Sequence, residues 1–239
     1  PEGLVLTNHH CGFSYVHEMS AIGHDYMKDG YFAHNRSEEL RTPASLGFTF
    51  VLRITDVTKE VNAEAKKKKA DEFTRQSIGF LEPLAEKMLK KSEYAKKKGM
   101  RARIVPYFGG NQFYLFYEQT FQDVRLVANP PYNIGQFGGN TDNWMWPRQI
   151  CDFSVFRIYA DPKTNGPAEY SKDNVPYHPQ HWTKVSMDGY KEGDFAMTMG
   201  YPGSTERYLS SYGIEQMHMR NATRSQARGV KQDVMVRHI

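Results

Sequence analysis

Short segments in which hydrophobic and polar positions alternate recur along the chain, and they are rich in β-branched and aromatic residues. This period-two pattern is typical of strands that bury one face. It predicts strands in the segments LVLTN (4–8), FTFVLRITDV (48–57), RARIVPYF (101–108), QFYLFYEQTF (112–121), DVRLVANP (123–130), CDFSVFRIYA (151–160), HWTKVSM (181–187) and GDFAMTMGYPG (193–203). The aromatic content and regular alternation of 112–121 argue against a helix there.

The pattern changes over residues 58–99, where Ala, Lys, Glu and Leu predominate. This composition predicts two helices, with Gly79 and Pro83 as interruptions and Gly99 as the helix stop. The tail at 206–239 also predicts a mostly helical segment.

Several short strands separated by turns favour a β-barrel or sandwich over a parallel α/β sheet. At 239 residues, of which 39% are hydrophobic, the chain can form one large domain or two small ones. No internal repeat is visible, and no apolar run approaches the roughly 20 residues that a membrane-spanning helix requires. Because strand-like residues follow Pro1-Glu2-Gly3 directly, we expect that residues upstream have been removed.

Charge and cysteine content narrow the range of functions. The chain has 31 Lys and Arg against 27 Asp and Glu, a net charge of +4. Much of this excess lies in the lysine runs 66–69 and 96–98, which we interpret as solvated helix faces. The aromatic residues lie elsewhere, so nucleic-acid binding is not indicated. Two cysteines provide neither a disulfide framework nor zinc-site spacing.

The segment GLVLTNHHCGF places His9, His10 and Cys11 at the end of a predicted strand. A histidine presented by a turn at a strand end suits a general base, because the strand holds the backbone while the imidazole stays accessible. The alternatives are a pair of surface histidines and a pair of metal ligands. Neighbouring side chains on an extended backbone point to opposite faces, which disfavours chelation of one ion.

A second candidate cluster lies in NTDNWMWPRQICDFSVFRIY, residues 140–159. Asp152 enters a hydrophobic strand, so its carboxylate needs a donor, and a histidine is a natural partner. A capping role or a salt bridge explains Asp152 equally well. Asp142 is an alternative carboxylate in the preceding loop. Trp144 and Trp146 could stack on a ligand, although tryptophans commonly anchor a core.

Taken together, GLVLTNHHCGF, GNTDNWMWPRQICDFSVFRIY and GDFAMTMGYPGSTERY resemble the bacterial serine dipeptidyl-peptidase 7 and 11 family. The resemblance covers essentially the whole chain. It implies a mainly β fold with helical insertions: a chymotrypsin-like first barrel, the start of a second barrel, and the beginning of an inserted α-helical domain. The corresponding domains are a peptidase barrel region at 1–205, with a helical excursion at 58–99, and the start of the helical domain at 206–239.

By this resemblance His10 is the catalytic base, and Asp152 is the carboxylate that orients it. Asn143 and Trp144 match the family positions that hold the free α-amino group of the substrate. An ammonium can donate to the amide oxygen of Asn143 and lie against the aromatic ring, while a longer N-terminal extension would clash. The implied partners are therefore peptides with a free N-terminus.

The resemblance also implies an acyl-enzyme mechanism with no metal and no cofactor, a homodimer, and a periplasmic or cell-surface location. The family's nucleophile lies in a Gly-Asn-Ser-Gly turn, which these 239 residues lack. Ser204, in YPGST, follows a strand-ending turn and does not match that position. We therefore expect the nucleophile beyond Ile239 and no activity from the chain alone.

Two alternatives to a peptidase that releases dipeptides stay open. One is a non-catalytic, trypsin-like peptide-binding module, and the other is a protease-chaperone that cleaves internal bonds. The cysteines also leave alternatives. The family pattern pairs Cys11 with an upstream residue and leaves Cys151 as a small buried residue, while a Cys11–Cys151 disulfide stays possible.

Overall fold

A computed structural model describes residues 2–137, 149–197 and 208–238. The chain divides into two compact units, Pro1–Lys184 and Val185–Ile239. In chain order, the described elements are β1 (Leu4–Thr7), α1 (His9–Met19), β2 (Tyr31–Phe32), β3 (Leu40–Arg41), β4 (Phe48–Asp56), α2 (Thr58–Lys68), α3 (Glu72–Gln76), α4 (Ile78–Lys90), β5 (Met100–Tyr107), β6 (Gln112–Phe121), β7 (Val124–Asn129), α5 (Tyr132–Gly135), β8 (Gln136–Phe137), β9 (Gln149–Ile150), β10 (Ser154–Ala160), β11 (Val175–Pro176) and α6 (Ser211–Val236). The prediction of a mainly β fold with helical insertions is confirmed.

The larger sheet of the first unit is antiparallel and has the strand order β1-β10-β7-β2. β3 also pairs with β7, and β11 pairs with β10. Strand β10 lies inside this sheet, and Phe156, Ile158 and Ala160 along it are buried. The strands predicted at 4–8, 123–130 and 151–160 are therefore all present.

The second sheet has the order β4-β6-β5 and is also antiparallel. Its strands confirm those predicted at 48–57, 101–108 and 112–121. The aromatic strand β6 lies in the middle and is buried along most of its length, which explains its high aromatic content.

The helices α2 and α4 cover one face of the second sheet with their apolar sides. The shared core consists of Val57, Val61, Ala65, Phe80, Leu81, Leu84, Ala85, Ile104, Phe113, Leu115 and Tyr117. Both lysine runs are exposed to solvent. The run 66–69 lies at the end of α2, as expected for a solvated helix face, whereas residues 96–98 lie in turns after α4, so the prediction of a helix face there was wrong.

The helical excursion differs in detail from its prediction. Between Thr58 and Lys90, the described residues form three helices rather than two, because the Asp71 side chain accepts a hydrogen bond from the Thr74 amide (2.7 Å) and starts the short helix α3. Gly79 and Pro83 do not interrupt α4, which runs through both. Pro83 lacks the N–H that would bond to the carbonyl four residues earlier, and that carbonyl belongs to Gly79, near the first turn.

Two glycines take left-handed backbone conformations where another chain segment comes close. At Gly3 (φ +69°), an added Cβ would lie 2.5 Å from the carbonyl oxygen of Ile158, so glycine allows the chain entering β1 to approach β10. At Gly99 (φ +71°), it would lie 2.7 Å from the carbonyl oxygen of Thr120. Gly99 therefore leads into β5, and its predicted role as a helix stop was wrong.

A compact apolar cluster joins the two sheets. Phe121 of β6 packs with Ile158 and Ala160 of β10, and Phe50 and Tyr177 surround them. The rings of Phe121 and Tyr177 lie 4.6 Å apart between centroids, within the range of favourable aromatic pairs. Strand β10 is thus held through side chains on the second sheet as well as through its own hydrogen bonds.

The second unit contains the long helix α6, which confirms the predicted helical tail. Its first turn is capped by Ser210, whose hydroxyl accepts from the Gly213 amide at 3.3 Å. The described residues in the predicted strands 181–187 and 193–197 form no strand. Their alternation was misleading because the large side chains there are exposed and pair with no sheet. Within the described ranges, no helix is both long enough and apolar enough to cross a membrane.

Candidate active site

Strand pairing explains how two distant segments meet at the candidate site. Strand β1 ends at Thr7, which lies directly opposite Ser154, the first residue of β10. Because the strands are antiparallel, the chain leaving β1 runs alongside the residues that precede β10. His10 and Asp152 are therefore brought to the same edge of the larger sheet.

His10 and Asp152 form a hydrogen-bonded pair. The imidazole Nδ1 of His10 lies 2.7 Å from Oδ2 of Asp152, and the backbone N–H of His10 donates to Oδ1 at 3.0 Å. A carboxylate only accepts, so Nδ1 carries the proton and Nε2 remains as the basic nitrogen. The structure therefore brings together the two residues proposed as base and orienting carboxylate.

Asn8 adds a third donor to the carboxylate. Its side-chain Nδ2 donates to Oδ2 of Asp152 at 3.1 Å and to the backbone carbonyl of Asp152 at 3.2 Å. Asn8 is also the residue that precedes the first turn of α1, yet its side chain makes no capping hydrogen bond there. The side-chain amide of Asn8 donates to Asp152 instead.

The electrostatic balance at Asp152 favours the ionised form. Partial burial is the largest single influence and acts to raise the pKa, but the hydrogen bonds and charge of His10 and the hydrogen bond of Asn8 together outweigh it. The pKa of Asp152 is therefore lower than its ordinary value. The His10 side chain is 71% exposed, so its imidazole is accessible to a reacting group.

The two histidines have different surroundings. Both lie in the first turn of α1, which corrects the prediction of a turn at the strand end. His9 is buried, and its Nδ1 lies 2.8 Å from Oδ1 of Asn129. Among the described residues, no group of three or more His, Cys, Asp or Glu is arranged to hold a metal ion.

The cysteines and the loop residues complete the list of predicted positions. Cys11 and Cys151 are both free, so the possible disulfide between them is absent. Cys151 is half-buried rather than buried. The positions that lie outside the described residues are Asp142, Asn143, Trp144, Trp146 and Ser204.

Sequence reasoning missed Asn8, Asn129 and Ser154 as neighbours of the pair. Asn129 offered a signal, because it is a polar residue at the end of the apolar strand β7, directly before two prolines. A polar side chain at such a position is either exposed to solvent or hydrogen-bonded within the protein. Asn129 is fully buried, so the second case applies.

Comparisons with known proteins identify the family of the chain. The family model described as Peptidase S46 matches residues 1–239. Dipeptidyl-peptidase 7 of Phocaeicola vulgatus is 51% identical over 98% of the chain, and an Asp/Glu-specific dipeptidyl-peptidase of Porphyromonas endodontalis is 46% identical over 100%.

Solved structures are also similar to the chain. The crystal structure of Porphyromonas endodontalis DPP11 in complex with the dipeptide Arg-Glu superposes with a TM-score of 0.86 at 46% identity, over 99% of this chain. The chain spans between 32% and 34% of the length of these three relatives. The match of the family model over every residue shows that the chain belongs to the peptidase S46 family.

Proposed function

We propose that this chain is the part of a serine dipeptidyl-peptidase that supplies the general base and its orienting carboxylate. The supporting observation is the 2.7 Å contact between the exposed imidazole of His10 and Asp152. The relatives that match 98–100% of the chain are named dipeptidyl-peptidases, which supports an enzyme that releases dipeptides. We further propose that the barrel region is chymotrypsin-like and occupies residues 1–205, with the helical domain beginning at 206.

In the proposed mechanism, Asp152 holds the His10 imidazole with its proton on Nδ1. Nε2 then accepts the proton of a serine hydroxyl as the hydroxyl oxygen attacks the scissile carbonyl carbon. The imidazolium donates that proton to the leaving amine, and an acyl-enzyme remains. His10 next takes a proton from water as the water oxygen attacks the acyl carbon. The imidazolium returns that proton to the serine oxygen as the ester C–O bond breaks, which releases the dipeptide and restores the serine hydroxyl.

We place the serine outside residues 1–239, because no serine here stands in a Gly-Asn-Ser-Gly turn. The covalent route needs that hydroxyl, so residues 1–239 alone are expected to be inactive. Asn143 and Trp144 are proposed to hold the substrate's α-amino group, which fixes how far the scissile bond lies from the free N-terminus. The proposed partners are peptides with a free N-terminus, and the full-length enzyme is proposed to be a periplasmic or cell-surface homodimer.

The test is an assay of the full-length enzyme on fluorogenic dipeptidyl substrates with free or acetylated N-termini. The panel includes acidic and hydrophobic residues beside the scissile bond. We expect cleavage of the free substrates and loss of cleavage on acetylation. Cleavage of the acetylated substrates as well as the free ones would favour a protease-chaperone that needs no free N-terminus, and absence of turnover on every substrate would favour a binding module.

A further inference from the structure

Asn129 is a fully buried polar residue whose side chain uses all of its hydrogen-bonding capacity. Its Oδ1 lies 2.8 Å from Nδ1 of His9 and 2.9 Å from the hydroxyl oxygen of Ser154. Its Nδ2 lies 3.2 Å from each of the backbone carbonyls of Tyr26 and Pro130. A primary amide offers two N–H donors and two acceptor positions, so every position is occupied.

These partners determine the orientation of the amide. Backbone carbonyls only accept, so the NH₂ end of Asn129 faces Tyr26 and Pro130, and the oxygen faces His9 and Ser154. Nδ1 of His9 is therefore the donor in its hydrogen bond, and so is the hydroxyl of Ser154. The network leaves no freedom to exchange the two ends of the amide.

Asn129 joins the two segments that carry the proposed catalytic pair. His9 immediately precedes His10 in α1, and Ser154 follows Asp152 by two positions at the start of β10. The same residue therefore contacts the neighbours of both the base and the carboxylate. It does so from strand β7, the partner of β10 in the larger sheet.

The helix and the strand are also packed closely at this point. A Cβ added to Gly12 would lie 3.1 Å from the ring of Phe156 and 3.3 Å from the hydroxyl oxygen of Ser154. A shift of α1 away from β10 would thus break both the packing at Gly12 and the hydrogen bonds of Asn129. Buried bonds of this kind are costly to leave unmade.

The catalytic pair itself is too exposed to hold this geometry alone. The side chains of His10 and Asp152 are 71% and 29% exposed. Ion pairs in contact with water contribute little free energy, so they hold two side chains in one geometry only weakly. The geometry must therefore come from buried neighbours, because small displacements of catalytic groups reduce rates strongly.

We propose that Asn129 is a positioning residue for the His10–Asp152 pair and acts through His9 and Ser154. This inference rests on the proposed peptidase function. It assigns Asn129 no contact with substrate. Its loss is expected to lower kcat, which depends on the alignment of the pair, and to leave KM almost unchanged.

The test compares His9→Leu with His9→Asn in the full-length enzyme. The Asn side chain carries its NH₂ on Cγ, as histidine carries Nδ1, so His9→Asn keeps a donor for Asn129 while His9→Leu removes it. We expect His9→Leu to lower kcat about ten- to a hundredfold and His9→Asn to restore most of that loss. Ser154→Ala removes the other donor to Oδ1 of Asn129, so it should also lower kcat.

Val61→Ala is the control for lost stability alone. Val61 is fully buried in the separate core between helices and the second sheet, so this variant should lower the melting temperature without changing kcat. All rates are expressed per active site, titrated with a serine-directed phosphonate. This correction removes any loss that comes only from unfolded enzyme.

Two outcomes would overturn the positioning role. One is a kcat within about twofold of wild type for both His9→Leu and Ser154→Ala. The other is an equal loss of kcat in His9→Leu and His9→Asn, which would show that the donor to Asn129 is irrelevant. If His9→Leu does not fold, Ser154→Ala decides by the same criterion.

His10→Ala separates this inference from the proposed function. An inactive His10→Ala enzyme together with normal His9→Leu and Ser154→Ala enzymes would reject only the positioning role. A His10→Ala enzyme with near-normal turnover would reject the peptidase assignment, and the positioning role with it.

Discussion

The Nδ1 atom of His10 lies 2.7 Å from Oδ2 of Asp152, although the two residues are 142 positions apart in the chain. Their approach follows from the direct pairing of Thr7 with Ser154 at the ends of two neighbouring strands. The contact therefore depends on the register of β1 against β10. A shift of one residue would turn the side chains of β1 to the opposite face.

The first prediction concerns the carboxylate of Asp152. In the full-length enzyme, Asp152→Asn keeps the shape of the side chain. An amide can donate as well as accept, so the variant no longer holds the proton of His10 on Nδ1. We expect kcat to fall by a factor on the order of 10⁴, as for the corresponding Asp→Asn change in a protease with a Ser-His-Asp triad. Steady-state kinetics measure the effect.

Asp173→Asn is the matched control, because Asp173 is an exposed aspartate in a turn of the same unit. It should leave kcat unchanged. Comparable rates for the Asp152→Asn and Asp173→Asn enzymes would contradict a catalytic role for Asp152.

The second prediction concerns Asn8, which donates to both the side chain and the backbone of Asp152. Asn8→Ala removes a hydrogen bond that favours the carboxylate, so the pKa of Asp152 should rise toward its ordinary value. We expect a loss of about 1 kcal/mol in the free energy of unfolding at neutral pH. Urea unfolding at several pH values measures it.

The pH dependence of this loss has a defined sign. The folded-state pKa of Asp152 is lowered, so its contribution to stability is present above its unfolded pKa and is lost as the pH falls through the folded pKa. The cost of Asn8→Ala should shrink over that acidic range. In an Asp152→Asn background this pH dependence should vanish, and its persistence there would argue against the mechanism.

Much of the fold was predictable from local pattern. Strands β6 and β10 are rich in aromatic and β-branched residues, and the burial of most of their positions in the two sheets agrees with that local preference. The proposed catalytic pair was predicted from motif resemblance, and the strand pairing supplies a physical reason for the contact between its two members. The spacing of His10 and Asp152 alone could not show their contact, because it depends on long-range register.

Other features could not be predicted because they depend on tertiary contacts. Helix α1 begins at His9 with several weak helix formers, and it is stabilised by the packing of Gly12 and Val16 against the larger sheet. Asn129 has partners from three separate parts of the chain, which no local pattern reveals. The segment 181–187 alternates like a strand, but alternation predicts a strand only where a partner strand is available.

The third prediction concerns the buried ion pair between Glu39 and Arg157. Their side chains are 2% and 10% exposed, and Nε of Arg157 lies 2.7 Å from Oε1 of Glu39. Arg157→Met leaves a buried carboxylate without its charged partner, and we expect a loss of about 3–5 kcal/mol in the free energy of unfolding. Urea unfolding measures this loss.

A double-mutant cycle with Glu39→Gln tests whether the ion pair is the cause. Because Glu39 and Arg157 interact directly, the loss of stability in the double variant should be smaller than the sum of the losses in the two single variants. Additive losses would show that Glu39 and Arg157 stabilise the fold independently.

The fourth prediction concerns Tyr159, whose hydroxyl donates to Oε2 of Glu39 at 2.8 Å. Burial, followed by the hydrogen bond and the charge of Glu39, raises the pKa of Tyr159 from 10.0 to about 12, against the opposing charges of Arg125 and Arg157. The neutral phenol is therefore favoured in the folded state. Its contribution to stability is complete below the unfolded pKa and is lost as the pH rises toward about 12.

Tyr159→Phe should remove this alkaline dependence. The variant is expected to be less stable than wild type at pH 8, because Glu39 loses a donor, and the difference should shrink by up to roughly 2 kcal/mol by pH 12. Urea unfolding across this range measures the difference, with Tyr212→Phe as the control because Tyr212 is 81% exposed. A constant difference between Tyr159→Phe and wild type over the whole range would show that the phenol of Tyr159 titrates alike in the folded and unfolded states.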